Sequence, residues 1–304
     1  MVSLLGSISC LIYSLVGLLF FALVAFFVLI ERKVLGVSQS RLGPQKVSLF
    51  GVLQSFADFI KLISKVGLFW GSSSNVKYRE LYYVLGIVYF LLSATLFIIY
   101  FINSLISHSL VNSLVCWLIV FSSLSGYGFI MCGWGSNSKY SLYGAVRASF
   151  SSISFEGLLM CMVIMLGLIA GGYNSGFIIN SNMLNYIFFF SLYFCSFVSV
   201  MCECNRSPFD FFEFESDLVS GFNTDYYGAG FALLFGFEYW VMIFFSWFLS
   251  FFFGGITLFF MMFLNSFLLI FVRACFPRLR YDYFVSLVWK NLFFIFFFLI
   301  AYLI

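Results

Sequence analysis

The sequence is poor in charge and in the residues that bind metals and nucleotides. Charged residues make up 9% of its 304 residues, and His108 is the single histidine. It contains no glycine-rich phosphate loop and no Cys/His cluster with metal-ligand spacing. The chain alone therefore has no motif for a nucleotide, a metal or an iron-sulfur cluster. We expect redox chemistry to come from partner proteins, and no nucleic-acid partner.

Hydrophobic residues dominate instead, at 63% of the chain, where soluble domains have roughly half. A membrane span needs about 20 apolar residues, and such runs recur along the whole sequence. We expect one membrane domain over residues 1–304, with no soluble domain. The first run is expected to be a retained span rather than a signal peptide, because Glu31-Arg32-Lys33 follow it and no basic residue precedes it.

The apolar runs predict an all-α integral membrane protein with eight transmembrane helices. The predicted spans are Val2–Ile30, Tyr82–Ile106, Leu110–Cys132, Phe155–Ala170, Leu184–Met201, Gly228–Phe253, Gly255–Val272 and Phe284–Ile304. The predicted inner loops cover about 31–81, 133–154, 202–227 and 273–283.

The fifteen lysine and arginine residues are all expected on one side of the membrane. They lie in or near the links after the first, third, fifth and seventh spans, whereas the opposite links contain no Lys, Arg, Asp or Glu. Inner loops carry the excess of basic residues in membrane proteins. The pattern therefore places the charged loops inside and both chain ends outside.

The first inner loop contains a predicted amphipathic helix. Its polar face carries Gln54, Asp58, Lys61 and Lys65, and its other face carries Leu49, Val52, Leu53, Phe56, Ile60 and Ile63. We expect the apolar face to pack into the bundle or the lipid interface near the first span. Asp58 and Lys61 are one turn apart and are placed to pair. A helix lying passively on the membrane surface is the alternative.

Two carboxylates lie inside predicted spans, Glu156 and Glu238. An ionised carboxylate costs about 2.5 to 3.5 kcal/mol on insertion scales, so it needs a partner or a water-filled cavity. A protonated glutamic acid bonded to a neighbouring helix is the structural alternative for either residue.

A dense acidic stretch follows the fifth predicted span. It contains Glu203, Asp210, Glu213, Glu215 and Asp217, with Arg206 as its single cation. So many like charges should raise one another's pKa values and titrate together, which suits uptake and release of protons. The alternative is a solvated acidic loop. The interleaved Phe209, Phe211, Phe212 and Phe214 argue against it.

Four ordered blocks of sequence resemble the mitochondrial NADH dehydrogenase subunit 1 family, and together they cover most of the chain. They run from Glu31-Arg32-Lys33 to Lys61, from Gly133-Trp134-Gly135 to Glu156, from Glu203-Cys204-Asn205-Arg206-Ser207-Pro208-Phe209-Asp210 to Tyr239, and from Pro277-Arg278-Leu279-Arg280-Tyr281-Asp282 to Lys290. The third block is the most specific.

This resemblance implies a core membrane subunit of the proton-pumping NADH:quinone oxidoreductase, complex I, in the mitochondrial inner membrane with its charged loops on the matrix side. In that family the first, amphipathic and sixth helices frame the entrance to the quinone chamber. The implied chamber residues are Arg32, Arg41, Asp58, Phe231, Phe235 and Arg278. The implied proton or charge route comprises Glu156, Glu203, Asp210, Glu213, Glu215, Asp217 and Glu238.

The implied partners are the other complex I subunits: hydrophilic quinone-reducing subunits on the matrix side, and antiporter-like and small membrane subunits laterally. Ubiquinone or a related quinone is the implied substrate, lipids surround the chain, and FMN and iron-sulfur clusters belong to the partner subunits. Two alternatives are a free-standing proton or cation transporter and the membrane anchor of a related hydrogenase-type complex. A transporter would usually show internal repeats, and none is visible.

Overall fold

A computed structural model describes residues 2–65, 81–82, 84–95, 114–136, 138–170, 186–210, 221–223, 226, 228–253 and 258–303. Every regular element within these ranges is helical, which confirms the all-α class. Several predictions fall outside the described residues: part of the second and third spans, the link near His108, and the acidic residues Glu213, Glu215 and Asp217.

The described helices follow one another along the chain. They are α1 (Val2–Ser38), α2 (Gln54–Ser64), α3 (Val84–Thr95), α4 (Leu114–Gly135), α5 (Lys139–Ala170), α6 (Tyr186–Glu203), α7 (Gly228–Phe253), α8 (Leu258–Cys275), α9 (Tyr281–Ser286) and α10 (Phe293–Leu303). A π-helical segment, Leu287–Leu292, joins α9 to α10. Short 3-10 turns occur at Leu49–Gly51 and Gly221–Asn223.

Three described helices are long and apolar enough to cross a membrane: Lys139–Ile169, Gly228–Ser250 and Tyr281–Tyr302. Four shorter apolar helices accompany them: Val84–Thr95, Ile119–Gly135, Phe190–Glu203 and Phe259–Cys275. This composition agrees with a multi-pass membrane protein.

The centre of the bundle is α7. All its side chains from Phe237 to Ser250 are buried, and it packs against α1, α2, α6 and α8. Its aromatic rings meet those of neighbouring helices edge to face, as in the Phe155 and Phe245 pair, whose centroids are 5.4 Å apart. A helix that is apolar on all sides is expected in such a central position.

Small residues let α4 and α5 approach closely. A Cβ added at Gly133 would collide with Ala145, and one added at Gly126 would lie 2.7 Å from the Ser152 hydroxyl. Close packing across small residues is the usual way in which membrane helices associate. This contact fixes α5, whose opposite surfaces receive α6 and α10.

α5 begins at Lys139 and not at Phe155, so the predicted inner loop 133–154 is helical from Lys139 onward. The polar segment stays helical because its serines bond within the helix. The Ser149 hydroxyl donates to the Val146 carbonyl (2.9 Å) and the Ser151 hydroxyl to the Ala148 carbonyl (2.7 Å). Polarity had suggested a loop, but these serines carry their own acceptors.

α1 likewise continues to Ser38 instead of ending at Ile30. The added turns contain Glu31, which is buried and forms an ion pair with Arg273 at the end of α8. A charge with a partner can remain inside the bundle, so it does not mark the end of a helix.

Candidate functional site

A cavity of about 340 Å³ lies between α1, α2 and α7. Its lining residues are Phe21, Val24, Ala25, Val28, Arg32, Ser55, Phe56, Asp58, Phe59, Leu62, Phe231, Ala232, Phe235 and Gly236. Almost all are apolar, and the only charged side chains among them are Arg32 and Asp58. Largely apolar cavities with a few polar groups are typical of small-molecule sites.

Arg32 of α1 and Asp58 of α2 form an ion pair in this lining, with 2.9 Å between Nη1 and Oδ2. The Gln54 side-chain amide donates to the other Asp58 oxygen at 3.0 Å. Asp58 of α2 therefore pairs with Arg32 of α1. The partner predicted from the sequence was Lys61. Both side chains of the pair are partly exposed. It can reorganise at low cost, because exposed pairs contribute only about 0.2 to 1 kcal/mol.

The aromatic wall of the cavity comes from α7. Phe231 and Phe235 are one turn apart, and their rings are stacked with centroids 5.8 Å apart. Across the cavity, Phe56 of α2 meets Phe26 of α1 edge to face at 5.7 Å. The predicted packing of α2 near the first span is thus confirmed at Phe56, whereas Ile60 on the same predicted face is largely exposed.

The turn before α2 sets its position over the cavity. Gly51 has a φ of 72°, and a Cβ there would collide with the Pro44 carbonyl, so the turn requires glycine. The Lys33 ammonium donates to the Phe50 carbonyl at 2.7 Å, which ties the same turn to α1. α2 is therefore anchored to α1 at two points, which are the turn before α2 and the Arg32–Asp58 ion pair.

A buried ionic network begins directly behind the aromatic wall. Arg206 forms an ion pair with Glu238 at 2.8 Å, with both side chains almost fully buried. Its guanidinium lies 4.7 Å from the ring centroid of Tyr239 and 5.3 Å from that of Phe235. Because Phe235 also lines the cavity, the network and the cavity share a wall.

The network continues to α1 and α8. The Tyr239 hydroxyl lies close enough to the Glu31 carboxylate for the two groups to interact electrostatically, and Glu31 is paired with Arg273. Arg273 thus compensates the charge of Glu31, and Arg206 compensates the charge of Glu238. Tyr239 lies between the two ion pairs. Buried charges survive only when paired in this way.

Two further carboxyl groups approach one another beside this network. Glu203, at the end of α6, is buried and lies close enough to Ser125 and to Glu156 for electrostatic interaction with both. The second Glu203 oxygen, Oε2, has no hydrogen-bond partner among the described residues. A pair of neighbouring carboxyl groups shares protons more readily than two separate ones.

The segment after Glu203 is also buried. Burial and the neighbouring Glu203 raise the pKa of the Cys204 thiol, although Arg206 opposes the shift. The Asn205 side-chain oxygen lies 3.1 Å from the Ser151 hydroxyl oxygen, whose proton is shared with the closer Ala148 carbonyl. The Cys204 thiol therefore stays protonated in a packed segment.

Two of the six implied chamber residues lie outside the cavity lining. The Arg41 Nε atom donates to the Gln39 side chain at 2.8 Å on an exposed surface. Arg278 approaches buried Asp210 at 3.3 Å, and the Leu279 amide donates to the Pro208 carbonyl at 2.9 Å. Their assignment to the quinone path stays a prediction, whereas Arg32, Asp58, Phe231 and Phe235 are brought together.

Sequence reasoning had given no site role to Glu31, Tyr239 or Arg273. The sequence pattern identified Arg206 only as the cation of the acidic stretch, and Arg273 only as one of the basic residues on the inner side. The signal that could have identified them is a charged residue adjoining or inside an apolar run, which needs a buried partner. The pairings themselves join residues far apart in the sequence, such as Glu31 with Arg273.

Comparisons with known proteins agree with this architecture. The family model described as NADH dehydrogenase matches residues 11–304. NADH-ubiquinone oxidoreductase chain 1 of Aedes aegypti is 38% identical over 298 residues, covering 96% of this chain and 91% of the relative. The corresponding proteins of Myxine glutinosa (37% over 280 residues, 88% and 86% covered) and Apis mellifera ligustica (33% over 276 residues, 88% of each) are similar in extent. The chain therefore belongs to the NADH dehydrogenase family, together with the chain 1 subunits of NADH-ubiquinone oxidoreductase.

Proposed function

We propose that the cavity between α1, α2 and α7 is the quinone chamber of NADH-ubiquinone oxidoreductase, of which this chain is a core membrane subunit. The observation that carries the proposal is that one cavity collects Arg32, Asp58, Phe231 and Phe235. These residues come from three separate helices. Their convergence on one cavity is what a chamber framed by these helices requires.

The chemistry of the lining fits a quinone with an isoprenoid tail. Aromatic and aliphatic walls match the tail, and the Arg32 guanidinium is a donor for the carbonyl oxygens of the head group or for its reduced anion. Since Arg32 is already paired with Asp58, the head group would compete with a weak, partly exposed ion pair. FMN and the iron-sulfur clusters are assigned to partner subunits.

The finer architecture follows from the same reasoning. We assign eight spans to the chain, with α2 as an amphipathic helix at the membrane surface. In support, α2 directs Phe56 and Phe59 towards α1, while Lys61 and Lys65 are exposed. Arg273 at the end of α8 and Arg206 after α6 mark one end of the bundle, and they pair with Glu31 of α1 and with Glu238 in the middle of α7. We place this end on the matrix side of the mitochondrial inner membrane, facing the hydrophilic quinone-reducing subunits, with the antiporter-like and small membrane subunits alongside.

We also infer that the acidic residues carry protons or charge away from the chamber. The route would comprise Glu156, Glu203, Asp210 and Glu238 together with Glu213, Glu215 and Asp217. Its support is the contact of Arg206 with both Phe235 and Glu238, which gives charge in the chamber a direct electrostatic path to a buried carboxyl group.

The chamber is tested by replacing Phe235 with alanine in the assembled enzyme. We expect the KM for quinone to rise about tenfold, in line with the loss of a methylene-sized or larger contact in an apolar pocket. NADH oxidation by a hydrophilic artificial acceptor, which draws electrons before they reach the quinone, should be unchanged. Steady-state kinetics with both acceptors measures the two effects separately.

Phe294→Ala is the matched control, because Phe294 is exposed on α10 and lies outside the cavity lining. It should leave the KM for quinone at the unmodified value. An unchanged KM in Phe235→Ala, with the enzyme assembled, would show that quinone does not occupy this cavity.

A further inference from the structure

A second cavity, of about 90 Å³, adjoins the chamber between α1, α3 and α7. On the α3 side it is lined by Ile87, Phe90, Leu91 and Ala94, none of which reaches the chamber. On the α1 and α7 side it shares Phe21, Val24, Ala232 and Gly236 with the chamber. The two cavities are therefore neighbours separated by a thin wall.

Gly236 is the smallest part of that wall. Its two chain neighbours face opposite ways, since Phe235 lines the chamber and Phe237 lines the second cavity. A Cβ added at Gly236 would find no heavy atom within 4 Å. The space beside this position is therefore open.

Other glycines in the bundle differ from Gly236 in this respect. A Cβ at Gly128 would meet the Phe90 ring at 2.7 Å, and one at Gly157 would meet Phe293 at 2.7 Å. Those glycines allow two helices to approach. Gly236 weakens the helix relative to alanine without allowing any such contact. The missing side chain at Gly236 therefore leaves open space beside α7 and does not bring two helices together.

The second cavity suits a hydrocarbon group of limited size. Its described lining carries no charged side chain. An engineered apolar cavity of about 150 Å³ binds benzene, so 90 Å³ corresponds by proportion to roughly four carbon atoms. This is the size of one branched segment of a chain, and too small for a quinone head group.

We propose that Gly236 opens the quinone chamber into this second cavity, and that the cavity accommodates a segment of the isoprenoid tail of a long-chain quinone. We call the second cavity the side branch. The tail is the occupant because the side branch borders the chamber along four shared residues. The inference rests on the proposed function, since the quinone must enter the chamber first.

Photo-crosslinking in the purified complex tests the side branch directly. The probe is a long-chain quinone with a diazirine in the isoprenoid tail. We expect it to label the peptide that contains Ile87 to Ala94, in addition to peptides of α1, α2 and α7. Within that peptide, Ile87, Phe90, Leu91 and Ala94 line the side branch and not the chamber. Excess unmodified long-chain quinone should abolish both sets of labels.

Two variants close the side branch from different helices. Gly236→Leu fills it from α7, and Ala94→Leu fills it from α3 without altering α7, which keeps the test valid if one variant does not assemble. Each should reduce labelling of α3 about tenfold while labelling of α2 remains. Each should also lower the ratio of kcat/KM for a long-tail quinone to that for a short-tail quinone, by about tenfold. The control Val88→Leu alters an exposed position of α3 outside both linings and should change neither quantity.

The possible outcomes separate the inference from the proposed function. Labelling of α1, α2 and α7 without α3 would overturn the side branch and leave the chamber in place. Labelling of none of these helices would overturn both. A diazirine phospholipid that labels α3 without competition from quinone would identify a bilayer acyl chain as the occupant and would overturn the inference.

Discussion

Arg206 and Glu238 form an ion pair of 2.8 Å in the interior of the bundle, where the Arg206 side chain is 6% exposed and the Glu238 side chain 3%. The arginine comes from the segment after α6 and the glutamate from the middle of α7. The pair therefore fastens a connecting segment onto the central helix. It also lies directly behind Phe235, so the same contact supports the wall of the chamber.

Removing one member of this pair should be more harmful than removing both. Arg206→Met leaves a buried carboxylate without its cation, which typically costs about 3 to 5 kcal/mol. The double variant Arg206→Met with Glu238→Leu removes both charges and should recover most of that loss. Thermal unfolding of the purified complex measures this difference. If the double variant lost as much stability as Arg206→Met and Glu238→Leu lose when their separate effects are added, the two residues would not be coupled.

The Arg32 and Asp58 pair should affect quinone binding more than stability. Arg32→Gln should raise the KM for quinone several-fold and change stability by no more than about 1 kcal/mol, since exposed pairs contribute little. Arg280→Gln is a close control, because Arg280 forms an exposed pair with Asp282 at the same 2.9 Å distance but lies outside the cavity lining. If the two variants had equal KM values for quinone, Arg32 would not contribute to quinone binding in the chamber.

The helical class could be predicted because lipid allows few solutions. An apolar run must satisfy its backbone within a helix. α7, for example, begins at Gly228 and ends at Phe253, as predicted. α5 was harder, because a serine-rich segment has the composition of a loop whether or not its hydroxyl groups bond to the helix.

Part of the site could be predicted in the same way. Arg32, Asp58, Phe231 and Phe235 were named from a resemblance, and the fold brings them to one cavity. The partners of buried charges were not predictable, because an acid such as Glu31 can pair with any cation that the fold places nearby. The proposed role of Gly236 could not be predicted from the sequence either. It depends on an empty space that forms only when α1, α3 and α7 pack together.

A polar cluster between α6, α7 and α8 should stabilise the bundle. The Tyr193 hydroxyl donates to the Asn265 side-chain oxygen at 2.6 Å, and the Asn265 amide donates to the Ser246 carbonyl at 3.4 Å. Such bonds between membrane helices average about 0.6 kcal/mol and reach about 1.7. Asn265→Leu should lower the unfolding temperature accordingly, and Ser266→Ala, on the adjacent position of α8, should not. Equal unfolding temperatures would mean that the cluster contributes nothing.

Two glycine-to-alanine substitutions should have opposite effects. Gly133→Ala forces a collision with Ala145 and should destabilise the complex by about 1 to 3 kcal/mol, the usual range for overpacking. Gly236→Ala adds a methyl group to open space and should stabilise α7 by about 0.5 to 1 kcal/mol. Thermal unfolding of both variants provides the comparison. Destabilisation by Gly236→Ala would mean that the space beside α7 is already filled.

Glu203 provides the sharpest test of the proton route among the described residues. Its carboxyl group lies close to Ser125 and to Glu156. A glutamine at this position keeps the size and polarity of the side chain, but it cannot gain or lose a proton. If Glu203 has only a structural role, Glu203→Gln should assemble and pump normally.

If Glu203 transfers protons, Glu203→Gln should assemble and yet lose pumping. The coupled quinone reductase rate should fall about 100-fold, the lower end of what one positioned proton-transfer group contributes. Ser125→Ala is the companion variant, because it removes a polar neighbour of Glu203 and keeps the titratable group, so it should retain most of the activity. Proton translocation by the enzyme in liposomes, measured against NADH oxidation by an artificial acceptor, separates assembly from transfer. Normal pumping in Glu203→Gln would exclude Glu203 from the route, and the same substitution at Glu213 or Glu215 would then show whether the acidic segment after it carries protons by itself.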